Sequence, residues 1–166
     1  MSSLLPSAVF LGVAGLAAIR LASVRWSPPD HSEKRRKAAR ALAVAVGAQG
    51  AHFIEEATTG FYAQFGELFG VPGMPRSFFL AFNLAWLAIW VASIPAVRSG
   101  QALGFFAAWF LAIAGMLNGV AHPMFAIAAG AYFPGLVSAP VIGAASVWLW
   151  LQLRRATAPK VLQPSG

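Results

Sequence analysis

The chain has 166 residues, of which 58% are hydrophobic and only 10% charged, with a mean hydropathy of +0.68, whereas soluble domains carry roughly 25% charged residues. That composition excludes an ordinary soluble domain, and the absence of cysteine excludes disulfides, thiolate metal sites and cysteine nucleophiles. The formal net charge of +7 does not point to nucleic acid, because the basic residues flank apolar runs where membrane topology accounts for them.

The apolar runs are about twenty residues long, the length of helix that crosses a hydrocarbon layer of ~30 Å. They predict an all-α polytopic membrane bundle of about five transmembrane helices, forming a single integral membrane domain. The first span, about 4–22, has no charge before Arg20 and no basic residue at its start, so the charged region that opens a cleaved signal peptide is missing. Pro28-Pro29, Asp30 and the cluster Lys34, Arg35, Arg36 and Lys37 follow; they cannot sit in hydrocarbon and read as a cytoplasmic loop, with Asp30 or Ser32 as the N-cap of the next helix. His31 in that loop reads as a solvated polar residue. The second span is about 38–58. Gly60, Phe61, Tyr62, Phe65, Phe69, Pro72, Gly73 and Pro75 suit an outer interfacial loop or a short surface helix. The third span is about 77–97, and Arg98-Ser99-Gly100 turns into the fourth, about 101–122, where Pro123 favours a kink or an end. Phe105, Phe106, Trp109 and Phe110 in that span read as packing or lipid-facing aromatics, and Met74, Met116 and Met124 as filler. The fifth span, about 135–153, closes on Arg154-Arg155.

With five spans, the first loop, the turn at Arg98 and the C-terminal tail share one side. They hold Arg20, Arg25, Lys34, Arg35, Arg36, Lys37, Arg40, Arg98, Arg154, Arg155 and Lys160, eleven of the twelve basic residues, and leave only Arg76 opposite. The positive-inside rule then puts the N-terminus outside and the C-terminus in the cytoplasm. The expected location is the plasma membrane of a bacterium.

Polar residues inside the spans carry the functional argument. Residues three and four apart share a helix face, so Gln49, His52 and Glu55 or Glu56 form one stripe on span two, and Asn118 and His122 another on span four. Span three adds Asn83. Ionisable groups at membrane depth cost of the order of 3 kcal/mol each and ordinarily face a functional site inside the bundle. Depth gives an independent check at ~1.5 Å per residue: His52 is about 18 Å past Arg40, Asn118 about 26 Å past Gln101, and Asn83 only about 10 Å from outer Arg76. All three fall in the outer half of the bilayer, at a common level.

His52-Phe53-Ile54-Glu55-Glu56 with its aromatic-rich loop, Asn83, Asn118-Gly-Val-Ala-His122, and Tyr132-Phe133-Pro134-Gly135-Leu136-Val137-Ser138-Ala139 opening the last span together resemble the HxxEE-motif family of integral membrane proteins. The resemblance covers about 38–150, in the family's order. It implies a membrane fold in which these positions matter and supplies no reaction.

Neutral imidazole and carboxylate are the ligands of catalytic zinc sites that keep a position open for water, and the same set serves iron. His52, Glu55 or Glu56, and His122 are the candidate ligands of a divalent metal, zinc or iron. Adjacent glutamates project about 100° apart on a helix, so one of Glu55 and Glu56 binds metal while the other acts as catalytic base or orients His52. Gln49, Asn83 and Asn118 are expected to orient substrate or to hydrogen-bond the ligands. The resulting expectation is a metal-dependent membrane enzyme, a hydrolase or isomerase, acting on a membrane lipid or apolar small molecule. Two alternatives use the same residues: a proton relay in a small carrier, and a polar network that holds together a non-catalytic accessory protein. A shared metal requires spans two and four to bring His52 and His122 together, and Ala45, Ala48, Gly115 and Gly119 would let those helices approach.

Overall fold

The computed structural model describes residues 5–159; Leu4, at the start of the first expected span, and Lys160, counted among the inner-side cations, lie outside the described residues. Among the described residues the fold is all-α apart from one short strand pair. Its helices are α1 (Leu5–Val24), α2 (Ser32–Thr59), α3 (Phe61–Leu68), α4 (Arg76–Arg98), α5 (Ala102–Ala129) and α6 (Ala139–Ala156). Strands β1 (Arg25–Trp26) and β2 (Ala158–Pro159) pair antiparallel, Arg25 opposite Pro159 and Trp26 opposite Ala158.

Among the described residues two helices, α4 and α5, are long and apolar enough to cross a membrane, and Val9–Val24 of α1 is a shorter apolar helix. By contrast, α2 opens with six charged residues between Glu33 and Arg40, and α6 ends on Arg154-Arg155.

Three boundaries differ from the sequence reading. The cap of α2 is His31 rather than Asp30 or Ser32, because a 3-10 turn at Pro29–His31 runs straight into the helix and His31 N–H bonds the Pro28 carbonyl at 3.0 Å. Helix α5 passes through Pro123 and ends at Gly130, φ 64°, whose N–H closes on Ala126 and Ile127. Proline removes one N–H bond and presses its ring toward the carbonyl four residues back; that residue is Gly119. Helix α6 starts at Ala139 rather than near Gly135, because Gly135 takes φ 89°, outside the helical region, and residues 134–138 become a turn.

Helix α5 packs on α6, α1 and α4, and α2 packs on α6 and α4 far more than on α5. The small residues of α5 therefore do not serve the expected α2–α5 contact. A Cβ on Gly119 would lie 2.8 Å from Gly143 Cα, and one on Gly115 would collide with the Ser146 hydroxyl, so these glycines let α5 and α6 approach backbone to backbone. At one end of the bundle Arg25 donates to the carbonyls of Arg154 (3.1 Å) and Thr157 (2.7 Å), and Arg35 to that of Arg98 (3.4 Å). The first loop, the α4–α5 turn and the C-terminal segment thus meet there, and the α2–α3 and α5–α6 connections lie at the opposite end.

Candidate metal centre

Helical spacing places Glu56 one turn beyond His52 on the inner face of α2, and α5 delivers His122 to the same point. The exposures of His52, Glu56 and His122 are 0%, 5% and 2%. The two imidazole centroids are 4.6 Å apart with their planes nearly perpendicular. Glu56 Oε1 is 3.5 Å from His52 Nε2 and 3.4 Å from His122 Nε2. One ligand atom from each of the three residues lies within 4.8 Å of the others, so the buried cluster can hold a metal ion.

The hydrogen bonds behind the rings determine what they present in front. Nδ1 of His122 meets the Pro134 carbonyl at 2.6 Å; a carbonyl only accepts, so Nδ1 carries a proton and, in the neutral imidazole, Nε2 offers a lone pair. Nδ1 of His52 meets Ser138 Oγ at 2.8 Å. The Ser138 hydroxyl donates to Glu55 Oε2, and with its only proton committed there it accepts from Nδ1. His52 Nε2 is likewise left with a lone pair, and it has no hydrogen-bond partner. Two nitrogen lone pairs and a carboxylate oxygen therefore converge in a buried space. Acceptors facing acceptors out of water are costly, and a cation between them removes the cost.

Glu55 does not join this cluster. Its carboxylate accepts from Tyr132 Oη (2.7 Å), Val137 N–H (3.0 Å), Ser138 N–H (2.7 Å) and the Ser138 hydroxyl. The ~100° between adjacent helical side chains sends Glu56 inward and Glu55 to the α5–α6 turn, where it also places an anion at the N-terminus of α6. Glu55 therefore orients His52 through Ser138, an arrangement that typically sets the tautomer and aim of a ligating histidine.

In the sequence Tyr132, Pro134, Gly135 and Ser138 stand out only through the family resemblance, which gives them no role at the site. The available signal was the Pro-Gly turn two residues beyond Tyr132. A Cβ on Gly135 would lie 2.5 Å from His122 Cε1 and Nδ1 and 2.8 Å from His52 Cε1, so the turn lies directly against both rings and only glycine fits. Phe61, Phe125 and Phe133 ring His122 at centroid distances of 5.5, 5.9 and 6.2 Å.

A cavity of about 280 Å3 reaches the cluster at Glu56 and His122. Gln49, Asn83 and Asn118 line it, as do Phe79, Phe82 and Trp86. Phe110, expected to be packing or lipid-facing, is a wall of this cavity, whereas its neighbour Trp109 is fully buried against Trp150. Met74, read as filler, also lines it. Asn83 donates to its own helix at Phe79 (2.9 Å). No protein-family model, curated protein or solved structure matches the chain.

Proposed function

We propose that the protein is an integral membrane enzyme in which His52, Glu56 and His122 bind one divalent metal, zinc or iron, beside an apolar substrate cavity. The observation that carries this reading is the convergence of two Nε2 lone pairs on the Glu56 carboxylate, each imidazole held in the ligating tautomer by a partner on the α5–α6 turn. Three protein ligands leave a position for water or substrate, and a metal held so acts as a Lewis acid or activates water. Glu55 and Ser138 position His52, and Gln49, Asn83 and Asn118 lie where they can orient a substrate in the cavity. A hydrolase or an isomerase fits this set.

The membrane setting is supported by an inverted surface. The polar cluster is buried, while every long helix carries exposed apolar side chains: Leu16 on α1, Ile54 on α2, Leu84 on α4, Ile127 on α5 and Val141 on α6 are between 57% and 80% exposed. Surfaces this apolar belong in lipid or in an interface. On this reading α1, α2, α4, α5 and α6 are five spans, α3 lies at the outer interface, and the membrane is the plasma membrane of a bacterium. We retain as part of the proposal the resemblance of the sequence motifs around His52, Asn83, His122 and Pro134-Gly135 to the HxxEE-motif family.

Metal analysis of the protein purified in its native membrane environment tests the centre. The expected result is close to one zinc or iron per chain, lost in His52→Ala and in His122→Ala. A wild-type protein that binds neither metal after reconstitution overturns the reading and leaves the polar network a structural role.

A further inference from the structure

Resting on the proposed active site, we infer that its substrate is an uncharged single-chain molecule, an apolar tail with one neutral hydrogen-bonding head, which enters sideways from the bilayer between α1 and α4. The head is assigned by the polar groups of the cavity. Besides Glu56, His122 and the indoles of Trp86 and Trp90, these are the carboxamides Gln49, Asn83 and Asn118, and among the described residues no lysine or arginine lines the space. Gln49 is 5% exposed. Among the described residues neither its amide nor that of Asn118 has a hydrogen-bond partner, so both offer a donor and an acceptor to a ligand. A neutral alcohol, amide or carbonyl matches the donor and acceptor that each amide presents to the cavity. No arginine or lysine among the lining residues would pair with a phosphate or carboxylate head, which would meet only the proposed metal, its charge already partly offset by Glu56.

The tail is assigned by volume and walls. A cavity of about 280 Å3 is roughly twice the ~150 Å3 space that takes a benzene ring, which gives room for about a dozen non-hydrogen atoms. Entry is assigned by a second space of about 340 Å3 that shares Leu11, Phe82, Trp86 and Phe110 with the first and adds Gly12 and Gly15. Helix α1 packs on α5 and barely touches α4. A Cβ at Gly12 or Gly15 would meet nothing within 4 Å, so these glycines serve no close helix contact and instead keep the gap open.

The test uses the full chain in lipid nanodiscs, with 11-bromoundecan-1-ol as probe and its quenching of Trp86 and Trp90, taken as the difference from Trp86→Phe/Trp90→Phe, as readout. Saturable quenching is expected, with 11-bromoundecanoate at least tenfold weaker in both metal-loaded and chelator-treated protein. Asn118→Leu with Gln49→Leu should weaken the alcohol at least tenfold and leave 1-bromoundecane unchanged. Gly15→Leu, which fills open space and removes a helix-weakening glycine, should slow association at least tenfold with metal content unaltered. Equal or tighter binding of the carboxylate, or an alcohol signal that does not saturate, overturns the assignment of the head; an unchanged association rate in Gly15→Leu overturns the portal. The underlying reading fails separately: about one metal per chain without saturable quenching refutes this inference alone, and saturable quenching without metal refutes the metal centre alone.

Discussion

Replacing Gly135 by alanine should damage the site by an amount that can be built from two contributions. At φ 89° the backbone is in the left-handed region, where a Cβ costs about 1–2 kcal/mol. The added methyl would also sit 2.5 Å from two atoms of His122 and 2.8 Å from His52, and overpacking of this kind costs about 1–3 kcal/mol. The sum is about 2–5 kcal/mol, and any part taken up by displacement of the imidazoles weakens metal binding tenfold for each ~1.4 kcal/mol. Gly130→Ala supplies the control, because Gly130 has φ 64° with nothing within 4 Å of its Cβ and so incurs the backbone cost of about 1–2 kcal/mol alone. Denaturant unfolding followed by tryptophan fluorescence, together with metal affinity from chelator competition, measures both variants. Gly135→Ala is expected to be the more destabilised and to lose metal affinity, while Gly130→Ala keeps wild-type affinity. Identical behaviour of the two variants in both assays would refute the packing of the turn on the imidazoles.

Ser138→Ala and Glu55→Gln should each lower metal affinity about 10–100-fold, the usual cost of losing a group that orients a ligating histidine, and the double variant should lose less than the product, since Glu55 acts on His52 through Ser138; full multiplicativity in chelator competition contradicts the relay. Tyr132, in the α5–α6 loop, has its phenol pushed up from the ordinary value by burial first and by its hydrogen bond to Glu55 second. The folded protein therefore keeps that proton after an unfolded chain has lost it, and the associated stability is full below about pH 10 and declines as pH rises through the raised value. With only two tyrosines in the chain, phenolate absorbance of Tyr62→Phe reports Tyr132 alone; it should titrate late, and earlier in Glu55→Gln. Reporter fusions should place residues 60–73 and the N-terminus outside and the C-terminus inside; both termini on one side would remove a span.

What sequence alone determined here is local. The spacing of Gln49, His52 and Glu56, and of Asn118 and His122, follows from 3.6 residues per turn, so each polar stripe is a property of its own helix. The apolar lengths and the distribution of basic residues bear on spans and ends in the same way. Which glutamate faces the histidines was not decidable at that level, because adjacent residues differ by about 100° of rotation and only packing against α4 and α6 sets the phase of α2. Nor could local pattern show that α5 would give its glycines to α6 instead of α2, since a small-residue face is compatible with any partner. The groups that complete the centre are the most distant of all: Ser138 reaches His52 across 86 positions of sequence, and Gly135 meets both rings. Such contacts exist only once the loop folds back over the bundle, so the tautomers of His52 and His122, and with them the ability to hold a cation, were decided by tertiary structure.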